Sequence, residues 1–193
     1  MSKQLVLAIS SSPSPTSKTA RVADYVLQRI SEPTLMTRHI RLRDMDPEAL
    51  ISAKSSHVSV ARTVTAIEQA DGVVITTPIF KASYSGLLKI FLDLLPQFAL
   101  AGKAVLPVAT GGSVAHLLAL DYSLRPVLQS MGARHIVQSL FVPESEMQVV
   151  DEQLRIGEQT DAMLNEAIHH FKCSVGATTE DRFLGHPRPV RNA

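Results

Sequence analysis

The residues best suited to chemistry lie in one short stretch, Ser10 to Thr19, which reads SSSPSPTSKT. It follows the apolar run Leu5–Ile9 and precedes Ala20 to Ile30, where Ala20, Ala23, Val26, Leu27 and Ile30 recur at helical spacing. Strand, hydroxyl-rich turn and helix start together can seat a phosphate group. The helix start offers unpaired N–H groups and a partial positive charge, serine and threonine add neutral donors, and Lys18 adds a full charge. The same residues also suit a plain loop in which Thr16 or Ser17 only caps the helix. The stretch has no glycine, so it is neither a GxGxxG turn nor a P-loop, and a nucleotide triphosphatase is not expected.

The rest of the chain reads as alternating strands and helices. Leu35 to Leu42 is a mixed run suited to a sheet edge. Asp46 is a possible helix cap before Pro47, and Val60, Ala61, Val64 and Ile67 mark a helix face. Val73–Ile75 and Ala104–Thr110 are buried strands, although Pro107 inside the second is awkward and suggests a bulge near its end. IFKASYSG, from Ile79 to Gly86, reads as a loop, and Leu87 to Leu95 as a helix ended by Pro96. Gly111-Gly112 turns the chain into a helix from Val114 to Met131, and Gly132 ends it. A fourth strand follows over Ile136 to Val142, then a loop from Pro143 to Asp151. The last helix carries Ile156, Thr160, Met163, Leu164, Ala167, Ile168 and Phe171.

This alternation implies an α/β fold, a five-stranded parallel sheet in the order 2-1-3-4-5 with helices on both faces. Residues 1–175 are expected to form one domain, and 176–193, with Gly176, Gly185, Pro187 and Pro189, a flexible tail. The first and third strands would meet at the switch point where ligands bind.

The chain has 193 residues, 45% hydrophobic, 19% charged and with net charge +1. It has no basic run or membrane-length apolar stretch, so neither nucleic acid nor a membrane is an expected partner. Cys173 is the single cysteine, which rules out an intramolecular disulfide, and is read as structural. With no export signal recognised, the expected compartment is the cytoplasm. His169 and His170 point about 100° apart on a helix, so no metal site is expected.

Three loops would gather at the switch point. Ser10–Thr19 is hydroxylic, Pro78–Gly86 is apolar and aromatic, and Thr110–His116 starts with small residues that let backbone amides approach a heteroaromatic edge. A phosphate at one end and a flat ring with polar edges at the other describes FMN.

The runs TPIFKASYSGLLKIFLDLLP (Thr77–Pro96) and LPVATGGSVAHLLALDYSLRPVL (Leu106–Leu128) resemble the NAD(P)H-dependent FMN reductases of flavodoxin-like fold, over roughly residues 4 to 142. The likeness is greatest to the SsuE type, which serves alkanesulfonate assimilation. The resemblance implies that Ser12, Ser17, Lys18 and Thr19 bind the FMN phosphate. Pro78, Ile79, Phe80, Tyr84, Ser85 and Gly86 would line the isoalloxazine. Thr110, Gly111, Gly112, Ser113 and His116 would meet its pyrimidine side. The chain departs from the family's usual G-S-P-R loop, with Ser11 in place of the glycine and Ser14 in place of the arginine. A missing charge-assisted contact costs about 1.5–3 kcal/mol.

The activity implied is reduction of FMN by NADPH or NADH, with reduced flavin passed to a partner flavin-dependent monooxygenase. No catalytic side chain is required, because the cofactors carry the hydride. The rival readings are a tightly FMN-bound quinone, azo or metal-oxyanion reductase and a flavodoxin-like electron carrier. Such carriers are commonly strongly acidic, which net charge +1 does not suit. Pro126 cannot donate to the carbonyl of Tyr122, so the helix should kink or form a π-bulge there. The resemblance implies a π-helix at the interface of a homotetramer, a dimer of dimers.

Overall fold

The computed structural model describes residues 3–113, 116 and 118–175. The chain runs β1 (Gln4–Ser10), α1 (Lys18–Ile30), β2 (Leu35–Arg41), α2 (Pro47–Ile51), α3 (Val58–Gln69) and β3 (Gly72–Phe80). It continues through β4 (Ser83–Tyr84), α4 (Gly86–Leu92) and β5 (Ala104–Gly111). A π-helical segment, Leu120–Leu124, leads into α5 (Arg125–Ser130). Then come β6 (His135–Ile136), β7 (Leu140–Pro143), a hairpin of β8 (Met147–Val150) and β9 (Gln153–Ile156), and α6 (Glu158–Ser174). Val114, Ala115 and Leu117, where the helix after Gly112 was expected to begin, lie outside the described residues, as does the tail from residue 176.

The main sheet has the order β2-β1-β3-β5, with β6 and β7 sharing the place beyond β5. All these pairs are parallel, and the mixed strand β2 is at the edge. The switch point lies between β1 and β3, as expected. Two helices, α1 and α6, cover one face over Val6, Ala8, Val74, Leu106 and Val108. The others cover the opposite face over Leu7, Ile9, Val73, Ile75 and Val105. Strands buried on both sides explain the unbroken apolar runs.

The last strand differs from its expected form. Ile136 to Val142 is not one strand but two short pieces, and the register against β5 slips by one residue between them. This slip accounts for Pro107. Val105 accepts from Val137 N at 3.0 Å, so its peptide groups face the outer strand, and Pro107, two residues on, faces the same way. Its missing N–H therefore points at the break, where no ladder bond is lost. The bulge is in the neighbouring strand, and β5 itself pairs with β3 without interruption.

Other expectations also needed tertiary correction. Pro143–Asp151 holds a 3-10 turn and strand β8, not only a loop. Ile156 belongs to β9, and Met163 is exposed, so the α6 stripe is Leu164, Ala167, Ile168 and Phe171. The buried α3 stripe is Val60, Thr63, Ala66 and Ile67, with Ala61 and Val64 only partly buried. Helix α4 ends at Leu92, before the expected Leu95. Cys173, read as structural, lies exposed near the end of α6 with its Sγ 3.8 Å from His169 Nε2. Asp46 does cap α2, accepting from Ala49 N at 2.7 Å. Gly132 ends α5 with φ +84°, which favours glycine.

The three loops and the candidate flavin site

The C-terminal ends of β1, β3 and β5 bring the three loops together, and buried side-chain bonds tie them. Ser11 donates through both its N–H (3.0 Å) and its hydroxyl (3.2 Å) to Thr76 O, joining the first loop to β3. Ser85 Oγ donates to Ser11 O at 2.9 Å and accepts from Leu88 N at 3.2 Å, so one hydroxyl ties the second loop to the first and caps α4. Ser85 N in turn donates to Thr77 Oγ1 at 3.0 Å. The hydroxyls of Thr19 and Thr110 share a bond of 2.7 Å, joining the start of α1 to the end of β5. Ser11, Thr76 and Thr77 do not stand among the expected site residues. Their only sequence signal is hydroxyls at the ends of apolar runs. Ser11, where the family's loop has glycine, is fully buried and used for this tie.

Within the first loop, Ser17 caps α1, accepting from Ala20 N at 3.1 Å. The first N–H groups of α1 have no intrahelical acceptor, so Lys18 and Thr19 offer theirs to the loop. Ser12 Oγ accepts from Ser14 N at 3.3 Å, and Ser14 Oγ accepts from Thr16 N at 3.3 Å. Ser14 and Thr16 are exposed, whereas Ser12, Ser17 and Thr19 are buried. Lys18 Nζ donates to Met147 O at 3.3 Å, so its ammonium has a partner on the β8 side.

The second loop is not a loop throughout. Strand β3 runs on to Phe80 and turns back as β4, pairing Ile79 with Tyr84 and Phe80 with Ser83. Lys81 and Ala82 form the two-residue turn, at φ 51° and 63°. That is the conformation a two-residue hairpin needs and one that side-chain-bearing residues seldom take. Pro78 is buried, Ile79 and Tyr84 are half-buried against the core, and Phe80 is 50% exposed. Burial is the main cause that raises the Tyr84 phenol above its ordinary value.

In the third loop, Thr110 ends buried and Gly111 packs beneath Phe141, where an added Cβ would lie 3.2 Å from the ring. Gly112 and Ser113 are exposed, and His116 is half-buried with its N–H on Ser113 O at 3.1 Å. A Cβ added at Gly86 or Gly112 would meet nothing within 4 Å. Open space over two backbones, next to a half-exposed aromatic hairpin, suits a flat ring. A hydroxyl loop at a helix start suits a phosphate. The donor set therefore fits FMN. Among the described residues no group of side chains could hold a metal ion.

A parallel sheet with its switch point between β1 and β3, carrying this loop set, defines a flavodoxin-like α/β protein. The chain belongs to the NADPH-dependent FMN reductases, whose family model matches residues 5–147. It is 40% identical to FMN reductase (NADPH) of Escherichia coli K12 over 146 residues, 76% of this chain and 75% of that one. It is 34% identical to FMN reductase (NADPH) of Pseudomonas putida over 96% of this chain and 91% of that one. Among solved structures, the apo form of the NADH:FMN oxidoreductase EMOB superposes with a TM-score of 0.87 at 50% identity, covering 97% of this chain and 98% of that one. The protein is thus an NAD(P)H:FMN oxidoreductase that takes FMN and a nicotinamide nucleotide.

Proposed function

We propose that the protein reduces FMN as a substrate and passes it to a flavin-dependent monooxygenase of alkanesulfonate assimilation, in the cytoplasm. The observation that carries the flavin site is the joining of three loops by the Ser11–Thr76, Ser85–Ser11 and Thr19–Thr110 bonds. Ser12, Ser17, Lys18 and Thr19 would hold the phosphate, with Lys18 turning from Met147 O to do so. Pro78, Ile79, Phe80, Tyr84, Ser85 and Gly86 would flank the ring, and Thr110, Gly111, Gly112, Ser113 and His116 its pyrimidine edge. Bound flavin supplies N5 as the acceptor of a hydride from nicotinamide C4. The chain's own task is to orient the two rings and keep the reacting face in place, which needs no acid or base. A loop without arginine supports release of the flavin after reduction.

The test is NADPH and NADH oxidation with and without added FMN, followed by coupling to an alkanesulfonate monooxygenase. An FMN-dependent rate that sustains the monooxygenase is expected. Protein that purifies yellow and turns over a quinone by ping-pong kinetics would replace this reading with that of a tight-flavin reductase.

We propose further that the protein is a dimer of dimers with Tyr122 at an interface. Tyr122 is 79% exposed at the centre of the π-helical segment, beside Leu118 at 52%. Tyr122 N donates to Leu118 O at 3.1 Å, so the two exposed side chains are a turn apart, and their adjacency supports a protein contact. Tyr122→Ala should lower the mass found by light scattering, and an unchanged tetramer would refute the role.

A further inference from the structure

A chain of three side chains stands at the root of the hydroxyl loop, where His39 and Asp24 have no role in the reading above. His39, on β2, is its centre. His39 Nε2 lies 2.8 Å from Ser10 Oγ, and Nδ1 lies 2.7 Å from Asp24 Oδ1. Arg41 donates to the other Asp24 oxygen at 3.0 Å. Burial pushes the Asp24 carboxyl up, but hydrogen bonds and charge from His39 and Arg41 outweigh it and hold the group below its ordinary value. Asp24 is therefore a carboxylate at neutral pH and accepts only. The Nδ1 proton of His39 points to it, and the ring is held with Nε2 against Ser10.

Serine, histidine and aspartate in this order also make a nucleophilic triad. Here the serine is 2% exposed and ends a central strand, so no substrate carbonyl can reach it. The geometry suits a different task. A phosphate seat of this type has two arms, the strand end and the helix start. Ser10 ends β1 and Asp24 lies in the second turn of α1. His39 grips both arms from β2, with its side chain 8% exposed.

We propose that His39 is a positioning residue for the flavin phosphate. Through Ser10 and Asp24 it sets the spacing between strand end and helix start, and it thereby makes the protein prefer FMN to riboflavin. This rests on the reading that the hydroxyl loop holds the phosphate.

Fluorescence titration of native protein and variants with FMN and with riboflavin tests both ideas separately. Native protein should bind FMN more tightly; equal affinities would overturn the phosphate reading and this inference with it. His39→Ala should weaken FMN about tenfold, as expected when the shifted arms lose one net hydrogen bond to the phosphate, and leave riboflavin unchanged. The KM for FMN should rise while kcat at saturating flavin holds. Asp24→Ala, at a side chain 42% exposed, should act in the same direction and carries the test if His39→Ala does not fold. His39→Gln, which still reaches Ser10, should recover part of the loss. Native-like preference for FMN in His39→Ala and Asp24→Ala would overturn the inference and leave the phosphate reading standing. Equal weakening of both flavins would also overturn it, making the three residues merely structural.

Discussion

The hydroxyl loop and the aromatic hairpin flank the same switch point but are held in place by different physics. The first is fixed by side-chain hydrogen bonds among buried Ser11, Thr76, Ser85, Thr19 and Thr110. The second is fixed by a ladder of two residue pairs and a turn whose Lys81 and Ala82 take left-handed conformations. Bonds of the first kind are long-range and cooperative, so losing one partner orphans another in a dry place. The second kind carries a conformational cost of about 1–2 kcal/mol per left-handed residue, which its neighbours must offset. The phosphate end should therefore be the stiffer half and the ring end the more adaptable one.

Mutations can break that contrast. Ser85→Ala removes a helix cap and the tie to Ser11 at once, and should lower stability by about 2–3 kcal/mol in urea unfolding. A loss well under 1 kcal/mol would mean that the loops are not held there. Thr110→Val should cost about 1–3 kcal/mol by leaving Thr19 without its partner. The double variant Thr19→Val with Thr110→Val should cost less than the two single losses together, since no hydroxyl is then stranded. In the hairpin the sign should reverse: Ala82→Gly relieves a left-handed alanine and should stabilise the fold by about 0.5–1 kcal/mol. Destabilisation there would show that the turn is not strained.

The smallest effect lies away from the site. Burial first, and then its bond to Asp161, push the Tyr25 phenol up to about 12. A raised pKa gives stability that is complete below the ordinary value of 10.0 and lost as pH rises through the folded value. Unfolding at pH 9 to 12, about the window in which the phenol ionises, should show a modest fall that Tyr25→Phe abolishes.

Much of the architecture was legible in residue order. Apolar runs broken by turn residues marked β1, β3 and β5, and the spacing in Ala20–Ile30 marked α1. Asp46 before Pro47 marked the start of α2. What failed was short or non-local. IFKASYSG hides a hairpin because Lys81 and Ala82 are not the glycine or asparagine that such turns usually show. Met147–Ile156 hides another, whose turn residues Asp151 and Glu152 also have positive φ. The break between β6 and β7 had only Pro107 as its sign, one strand away.

Local pattern alone settled the layers, because burying apolar faces on a twisted parallel sheet leaves few ways to order strands and helices. It also named the three loops, since hydroxyl, aromatic and small residues after apolar runs are written in neighbouring positions. Only the tertiary structure decided how the loops are joined. Ser11 and Thr76 are 65 positions apart, Ser11 and Ser85 74, and Thr19 and Thr110 91. A hydroxyl's partner depends on which strand ends lie side by side, and no periodicity in the chain encodes that until the sheet has formed.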